Sequence, residues 1–411
     1  MAVHSDNPQE PDTWLADWTA DLMRGQHPTT KASDFTLVVD RNEGDKIVSS
    51  LNLISQTWAY DGIPFGVGRI ELVGTDPQYR RRGLIRKQMT AVHAKSAARG
   101  ELVQAITGNP WFYRQFGYEM TLNLSGSREF FWIRPENDKA QDEEIYRMRP
   151  AEKSDIPILK ELYVQHCANS LIGHQRNKEI WEYGLFIASR ETPAARTVAM
   201  IEDLQGEIVA YAQTFPHGTA LRVRELGVKE GHSWRAVSLF LVRELKKQAD
   251  ELNRKREKPV THISFKLGET HPVYDALGRQ LEKIIKPYTW YIRVADVSRF
   301  LRHIAPVLER RLRKSVMAGY SSALRLSFYR SSLTLRFEQG ILSEIGTYEP
   351  ANYFDFDAAF PDLSFLHLLF GCRSLAELDA ALADCFAANA EAAVLLDCLF
   401  PKRPSDINPL D

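Results

Sequence analysis

The sequence lacks any stretch that could cross a membrane or direct export. No run approaches the roughly 20 apolar residues that a membrane helix needs. The beginning of the chain, MAVHSDNPQEPDTW, has no apolar core of the signal-peptide kind. We therefore expect a cytoplasmic protein with no membrane partner.

Cysteine is scarce, and neither sign of charge is in excess. The chain has 4 cysteines, without a CxxC pair and without a histidine at metal-ligand spacing, so we expect buried reduced thiols, no disulfide framework and no metal site. The 52 basic and 53 acidic residues give a net charge of −1. Because surfaces that bind nucleic acid are usually basic, we expect no nucleic-acid partner.

The remaining composition is that of an ordinary globular protein. Apolar residues make up 44% of the chain and charged residues 26%, values that allow a buried core and a solvated surface. A length of 411 residues is too great for one compact domain and suits two or three.

One basic cluster stands out against the balanced charge, in YRRRGLIRKQ at 79–88. Upstream, 47–54 and 64–75 are rich in β-branched residues and predict two strands joined by a turn at Asp61-Gly62. Downstream, apolar residues at helical spacing predict a helix that ends at Gly100, and 102–107 predicts another strand. The arginines therefore lie in a turn between a strand and the start of a helix.

This position suits an anion. The first N–H groups of a helix have no partner within the helix and carry partial positive charge, to which arginine adds bidentate contacts with phosphate. Gly83 would let the backbone approach such a ligand. The spacing is neither that of a P-loop nor that of a Rossmann turn. On these residues alone, a solvated basic loop is an equal alternative.

The stretch VGTDPQYRRRGLIRKQMTAVHAKSAARG, followed by NPWFYRQFGYEM, resembles the coenzyme-A-binding core of the GNAT N-acetyltransferases. Their motif Arg/Gln-x-x-Gly-x-Gly/Ala wraps the pyrophosphate of acetyl-CoA. Arg80-x-x-Gly83 matches this motif, whereas Ile85 stands at its last small position. That departure agrees with the enhanced intracellular survival (Eis) branch, which the chain resembles over nearly its whole length.

The resemblance implies acetyl-CoA as co-substrate, no metal, and a set of contact residues. The strand end would offer backbone groups to the pantetheine arm, the arginine turn would surround the pyrophosphate, and two residues before Tyr113 would touch the coenzyme. The implied coenzyme-binding residues are Val73, Gly74, Thr75, Arg81, Arg82, Gly83, Leu84, Ile85, Arg86, Gly108 and Asn109.

Two catalytic residues follow from the same resemblance. Tyr113 aligns with the family's proton-donating tyrosine, and a phenol stays protonated at neutral pH and can protonate a thiolate. Packing between helix and sheet is the alternative role for this aromatic ring. The family's base is the terminal carboxylate, here that of Asp411, although those chains commonly end on an aromatic residue and this one ends NPLD.

We predict an α/β (α+β) fold with two tandem GNAT-like mixed-sheet domains and a sterol-carrier-protein-like α+β domain. The predicted boundaries are 1–133 for the catalytic domain, 145–293 for the second domain and 294–411 for the third, with a polar linker at 134–144. In the third domain, alternation at 321–346 predicts a small antiparallel sheet, and 365–401 predicts helices broken at Gly371 and before Pro401. Its apolar helices could line a lipid cavity, although such faces usually pack in a core.

The second domain reads as a diverged repeat of the first. HPVYDALG at 271–278 echoes NPWFYRQFG at 109–117, and 225–250 takes the place of the coenzyme loop and helix. Arg235 stands where the first copy has three arginines, and no glycine follows it. We therefore expect the second copy to pack and to share in the acceptor cleft without binding coenzyme.

The function expected from the resemblance is N-acetyl transfer from acetyl-CoA to an amine. The acceptor would be a small molecule such as an aminoglycoside, or a protein lysine, and the enzyme would be a homo-oligomer, with a hexamer as the family's precedent. The alternative is a non-catalytic acetyl-CoA-binding regulator or a lipid-binding carrier.

Overall fold

The computed structural model describes residues 13–132, 144–168, 170–192, 194–352 and 354–408. Within these ranges the chain forms three mixed sheets, flanked by helices and joined by short turns. Most of the predicted linker 134–144 lies outside the described residues. No helix in the described ranges is both long enough and apolar enough for a membrane span.

The strands, in chain order, are β1 (Phe35–Asp40), β2 (Lys46–Tyr60), β3 (Ile63–Thr75), β4 (Val103–Ile106), β5 (Glu119–Leu124), β6 (Ser127–Phe131), β7 (Tyr146–Pro150), β8 (Ile172–His174), β9 (Val198–Asp203), β10 (Ile208–His217), β11 (Ala220–Val228), β12 (His262–Phe265), β13 (Leu281–Ile285), β14 (Tyr288–Val294), β15 (Ala323–Ser327), β16 (Ser332–Glu338), β17 (Ile341–Gly346), β18 (Ala358–Ala359) and β19 (Phe386–Ala387).

The α-helices are α1 (Thr13–Met23), α2 (Leu84–Ala98), α3 (Ile156–Cys167), α4 (Lys178–Glu182), α5 (Trp234–Asn253), α6 (Pro272–Leu277), α7 (Val297–His303), α8 (Ala305–Arg313), α9 (Phe365–Leu369), α10 (Leu375–Ala381) and α11 (Ala390–Leu399). Two short segments also matter for the site and its surroundings, the 3-10 turn Phe112–Phe116 and the π-helical turn Tyr183–Ile187.

The first two sheets have matching strand orders when the second is read in reverse from β9 to β13, with β7 as an additional edge strand. The first runs β1-β2-β3-β4-β14-β5, with β8 also paired to β2, and the second runs β13-β6-β12-β11-β10-β9-β7. Each contains one parallel pair, β3 with β4 and β11 with β12, in which a helix, α2 or α5, connects the strands. This arrangement confirms the predicted mixed-sheet fold class with two tandem GNAT-like units.

The two units exchange a strand. β14 lies between β4 and β5 of the first sheet, and β6 lies between β12 and β13 of the second. The predicted boundaries place β6 in the first domain and almost all of β14 in the second, so each predicted domain supplies one strand to the other's sheet. The hydrogen-bond ladders therefore join the two units directly.

The third part of the chain packs on the first sheet. Its own sheet runs β17-β16-β15-β18-β19, and Trp58 and Trp290 of the first sheet share one apolar core with Phe300, Leu308 and the helices α9 to α11. The predicted sheet at 321–346 and helices at 365–401 are present, and Gly371 breaks the helices at a φ of 66°. The likeness to sterol-carrier proteins stays a prediction.

The cysteines form no disulfide within the described residues. Only Cys385 is fully buried, and Cys167, Cys372 and Cys398 are half-buried. The expectation of buried thiols is therefore correct for one position and too strong for the other three, which are partly exposed.

Candidate functional site

A cavity of about 650 Å³ opens where β3 ends and α2 begins. Ten of the twelve predicted site residues within the described ranges line it: Val73, Gly74, Thr75, Arg81, Gly83, Leu84, Ile85, Arg86, Asn109 and Tyr113. Arg82 and Gly108 do not, and Asp411 lies outside the described residues. Five further residues line it that were not in the predicted set of site residues: Tyr79, Arg80, Phe112, Gln115 and Phe116. Of these, Arg80 is the first residue of the matched motif.

The cavity begins where the ladder between β3 and β4 ends. Their parallel pairing stops at Arg69 and Ala105, although β3 continues to Thr75. Leu72 has a φ of 53°, and the register between β2 and β3 shifts beside it, as in a β-bulge that re-aims a strand. The strand end at Val73 to Thr75 therefore borders the cavity instead of a neighbouring strand, which leaves room for an extended ligand.

The turn into α2 is built by two residues with positive φ. Arg81 has a φ of 64° and Gly83 a φ of 72°, and Gly83 is the residue that caps α2. A Cβ at Gly83 would meet no protein atom within 4 Å. The protein therefore requires glycine here for its backbone conformation, and the open space beside it is the cavity.

The cavity wall is cationic. Arg80, Arg81 and Arg86 line it, and no carboxylate occurs among its described lining residues. The first turn of α2 adds unpaired N–H groups and the positive end of the helix dipole. Arg82 instead stacks on the Tyr79 ring, with its guanidinium carbon 4.6 Å from the ring centre. The arrangement is suited to a ligand with several phosphate oxygens.

A buried polar network fixes α2 against the strand end. The Ser49 hydroxyl on β2 lies 2.9 Å from the Gly74 carbonyl oxygen, 2.8 Å from Thr75 Oγ1 and 2.7 Å from Gln88 Oε1. Gln88 Nε2 donates to the Thr36 carbonyl at 2.8 Å. The strand end and α2 are therefore held together by one hydrogen-bonded chain of residues, which local sequence patterns do not indicate.

Tyr113 lies in the 3-10 turn on the opposite wall and is 4% exposed. Its hydroxyl forms no hydrogen bond with any other described residue. Burial raises the pKa of Tyr113 above its ordinary value, and the charge of Glu71 and the nearby Tyr291 raise it further. The phenol is therefore protonated at neutral pH and can donate its proton to a group in the cavity.

Tyr291, on the exchanged strand β14, supports the segment that precedes Tyr113. Its hydroxyl accepts a hydrogen bond from the Trp111 N–H and donates one to the Asn109 carbonyl at 3.2 Å. Its ring lies 5.5 Å from the ring of Tyr113. Because 180 residues separate it from Trp111, this support could not be inferred from a local motif.

The corresponding place in the second unit is filled by protein side chains. His271 Nε2 lies 3.2 Å from the Leu226 carbonyl near the end of β11, and Trp234 at the start of α5 packs on the His271 ring. Arg235 donates to the Ala276 carbonyl at 2.7 Å, which ties α5 to α6.

Tyr274, the counterpart of Tyr113, is also engaged. Its hydroxyl lies 3.0 Å from the carbonyl oxygens of Phe265 and Gly268 and accepts from the Leu267 N–H. The Tyr113 hydroxyl has no hydrogen bond among the described residues, whereas its counterpart in the second unit has three protein partners. This difference supports the expectation of a single coenzyme site.

The tail of the chain returns to the junction of the first two units. The Ile172 N–H donates to the Ser405 hydroxyl at 3.0 Å, and the Trp290 indole N–H donates to the Ile407 carbonyl at 3.2 Å. Trp290 neighbours Tyr291 on β14 and faces the other side of the sheet. The described tail thus reaches the first sheet on the face opposite Tyr113.

Residues 6–121 match a family model described as acetyltransferase (GNAT) domain. No curated protein matches this chain.

Three solved structures share the fold over nearly the whole chain. One is a conserved protein of Enterococcus faecalis V583, described as a probable N-acyltransferase. It is 14% identical with a TM-score of 0.65, and the alignment covers 97% of this chain and 91% of that chain. A GCN5-related N-acetyltransferase of Kribbella flavida is 18% identical with a TM-score of 0.64, at coverages of 98% and 93%. Eis1 of Mycobacterium abscessus is 14% identical with a TM-score of 0.59, at coverages of 96% and 96%.

These likenesses show the fold, and the family match supports acyl transfer as the class of chemistry. The segment that matches the family model contains the strand end, the arginine turn and Tyr113, which together form the cavity. The first part of this chain is thus similar in sequence to the acetyltransferase (GNAT) domain family.

Proposed function

We propose that this protein is an N-acetyltransferase that moves the acetyl group of acetyl-CoA directly to an amine. The observation that carries the proposal is the single cavity shared by the strand end at Val73, the arginine turn and Tyr113. One elongated anionic ligand with a thioester at its end would satisfy all three. The coenzyme-binding roles implied by the resemblance, including those of Arg82 and Gly108, are part of this proposal.

The chemistry requires no covalent intermediate on the protein. The amine nitrogen attacks the thioester carbonyl, a C–N bond forms and the C–S bond breaks. The leaving thiolate takes the proton of Tyr113, and the extra proton of the acylated nitrogen returns to the Tyr113 phenolate through solvent. Holding both substrates in one site lowers the entropic part of the barrier. The amine must lose a proton first, because an alkylammonium has a pKa of about 10.

The α-carboxylate of Asp411 is proposed as the acceptor of that proton. The position of Ile407 beside Trp290 supports it, because the described tail already lies on the first sheet opposite Tyr113. Deletion of residues 408–411 would then lower the rate by about 10²–10⁴-fold, the usual contribution of general acid–base catalysis, with coenzyme affinity unchanged. A full rate in the truncated protein would place the base elsewhere.

The acceptor is proposed to be an amine such as an aminoglycoside or a protein lysine. A cytoplasmic location and a homo-oligomeric state, with the family's hexamer as precedent, complete the proposal. The decisive experiment measures coenzyme A release from acetyl-CoA with a panel of amines. Amine-dependent release is expected, whereas tight acetyl-CoA binding without turnover of any amine would support a non-catalytic regulator instead.

A further inference from the structure

A second cavity, of about 500 Å³, lies between α3 and the edge of the first sheet. Its wall is formed by one face of α3, by β8 with its flanking residues, and by the turn between β2 and β3. Among the described residues, none lines both this cavity and the one beside Tyr113. Ten residues of β2 lead from Ser49, beside Gly74, to Ala59 in the second cavity, which corresponds to about 33 Å at about 3.3 Å per residue. The second cavity is therefore remote from the candidate site.

One face of α3 forms an apolar stripe that ends in a lysine. Lys160, Tyr163, Val164 and Cys167 all line the cavity, and their spacing of three and four residues places them on the same side of the helix. The stripe is about 10 Å long, because a helix rises about 1.5 Å per residue. Val164 is 67% exposed, so the stripe is open to a ligand from the solvent.

The wall formed by β8 and the β2–β3 turn has few polar groups to offer. The Leu171 N–H donates to the Pro404 carbonyl at 3.0 Å, and the Leu171 carbonyl accepts from the Asp61 N–H at 2.7 Å. Ala59 and Gly173 line the same wall with a methyl group and with no side chain, which leaves room beside α3. A cavity of this volume, with mainly apolar walls and few polar groups, is typical of small-molecule sites.

The charge of the wall favours an anion. Its described residues include three ionic side chains, those of Asp61, Lys160 and Arg176. Two hydrogen bonds of 2.8 and 2.5 Å join Arg176 to Glu225, and three arginines of the third part of the chain form ion pairs with Asp61. The Lys160 ammonium forms neither an ion pair nor a hydrogen bond with any described residue. A ligand in the cavity therefore meets one uncompensated charge, which is positive.

The helix sets the orientation of such a ligand. α3 ends at Cys167, where the helix dipole has its negative end. An anionic group is therefore favoured at the Lys160 end of the stripe and disfavoured at the Cys167 end. The apolar part of the ligand would then lie along Tyr163 and Val164.

We propose that this cavity binds a small apolar monocarboxylate, with its carboxylate at Lys160 and its hydrocarbon part between α3 and Leu171. Because α3 belongs to the second unit and β2 to the first, the ligand contacts both units at their junction. The site goes beyond the proposed acetyl transfer, since it shares no described lining residue with the coenzyme cavity.

Calorimetric titration of straight-chain carboxylates, from butanoate to octanoate, into the full-length protein tests the apolar wall. Each added methylene should tighten binding by about fourfold, the gain in affinity that burial of one CH₂ group provides. An affinity that does not depend on chain length would refute the proposal. These measurements detect binding alone, so they are valid whether or not the protein transfers acetyl groups.

Octanoate, 1-octanol and octylamine have the same chain length and differ in charge at neutral pH. Octanoate should bind more tightly than 1-octanol, and octylamine should bind most weakly, because Lys160 attracts an anion and repels a cation. Lys160→Gln should weaken octanoate binding by about fivefold, the upper end for an exposed ion pair, and should change 1-octanol binding by less than about twofold. No change, or equal losses for both ligands, would overturn the proposal.

Lys153→Gln is the matched control for Lys160→Gln. Lys153 is also an exposed lysine and lies in the turn just before α3, but it is not among the described lining residues and its Nζ lies 3.2 Å from Glu182 Oε1. Its replacement should leave the affinity for octanoate unchanged. A loss equal to that in Lys160→Gln would mean that octanoate responds only to the general surface charge, which would contradict the assigned site.

Val164→Glu and Val164→Lys test the position of the carboxylate from the rim of the cavity. Because Val164 is exposed, both variants should keep the fold and a nearly unchanged thermal midpoint of unfolding. The glutamate should weaken octanoate binding by charge repulsion, and the lysine should strengthen it, each by about two- to fivefold. Equal octanoate affinities in the two folded variants would show that no carboxylate lies beside this residue, and the proposal would fail.

Discussion

Tyr113 is a buried residue whose phenol is protonated at neutral pH and whose hydroxyl has no hydrogen bond among the described residues. Tyr113→Phe removes only that hydroxyl, so the rate of acetyl transfer should fall by about 10²–10⁴-fold while coenzyme affinity changes little. Tyr118→Phe is the matched control, because Tyr118 is also a buried tyrosine but its hydroxyl lies 2.7 Å from His93 Nε2. Equal losses of rate in both variants would mean that the tyrosines act through packing.

The arginines of the turn can be separated by where their side chains lie. Arg81 and Arg86 line the cavity, whereas Arg82 stacks on Tyr79. The double variant Arg81→Ala/Arg86→Ala should weaken acetyl-CoA binding at least about tenfold, since each charge-assisted contact contributes about 1.5–3 kcal/mol. Calorimetric titration measures the change.

Arg82→Ala serves as the comparison for the double variant. It should lower the acetyl-CoA affinity by less than either Arg81→Ala or Arg86→Ala, because Arg82 acts only through the orientation of Tyr79. If coenzyme affinity were the same in the double variant as in the wild type, the cluster would be a solvated basic loop, the alternative that the sequence left open.

Individual elements near the site could be predicted because their signals are local. β-Branched residues and the turn at Asp61-Gly62 indicated β2 and β3, and helical spacing with Gly100 as a stop indicated α2. The bulge at Leu72 could not be predicted, because a positive φ at leucine has no local sequence signal. Phe112 and Gln115 were missed as lining residues because their orientation depends on how the 3-10 turn packs against α2.

The pH dependence of stability should be clearest in the tail of the chain, because of Asp406. Burial raises the pKa of Asp406 to about 7, against lowering contributions from a hydrogen bond with the Ser125 N–H and from Lys266. The folded state therefore binds this proton more tightly than the unfolded state does. The contribution of Asp406 to stability falls as the pH rises from about 4 to 7 and is constant above that range.

Asp406→Asn should consequently stabilise the protein at pH 8. One unit of pKa shift corresponds to about 1.4 kcal/mol, and we expect the gain in unfolding free energy to reach at least that value, since the amide can still accept from Ser125. The gain should shrink toward pH 4. Denaturant unfolding at the two pH values checks this, and a gain that does not depend on pH would contradict the assigned cause.

At the scale of the whole molecule, the two units differ in what occupies the end of their parallel strand pair. The first has a cavity, and in the second His271, Trp234 and Arg235 make contacts with protein groups. Calorimetric titration should therefore give one acetyl-CoA per chain. A stoichiometry of two would show that the side chains of the second unit move aside for a ligand.

The repeat could be inferred from the sequence, but the way its copies are joined could not. The echo between 109–117 and 271–278 indicated two similar units, because it preserves the spacing of Tyr113 to Gly117 in Tyr274 to Gly278. Which sheet receives β6 or β14 depends on pairings between distant parts of the chain. No local pattern distinguishes a strand that stays in its own unit from one that crosses.

The strand exchange sets an order of events during protein synthesis. A ribosome completes β4 and β5 long before it reaches β14, so the nascent first sheet has a gap between two strands that are neighbours only through β14. Tyr291, which supports the segment before Tyr113, arrives with that late strand. The first unit must therefore remain incomplete until translation has passed Val294. During that interval its unpaired strand edges are open to chaperones and to aggregation.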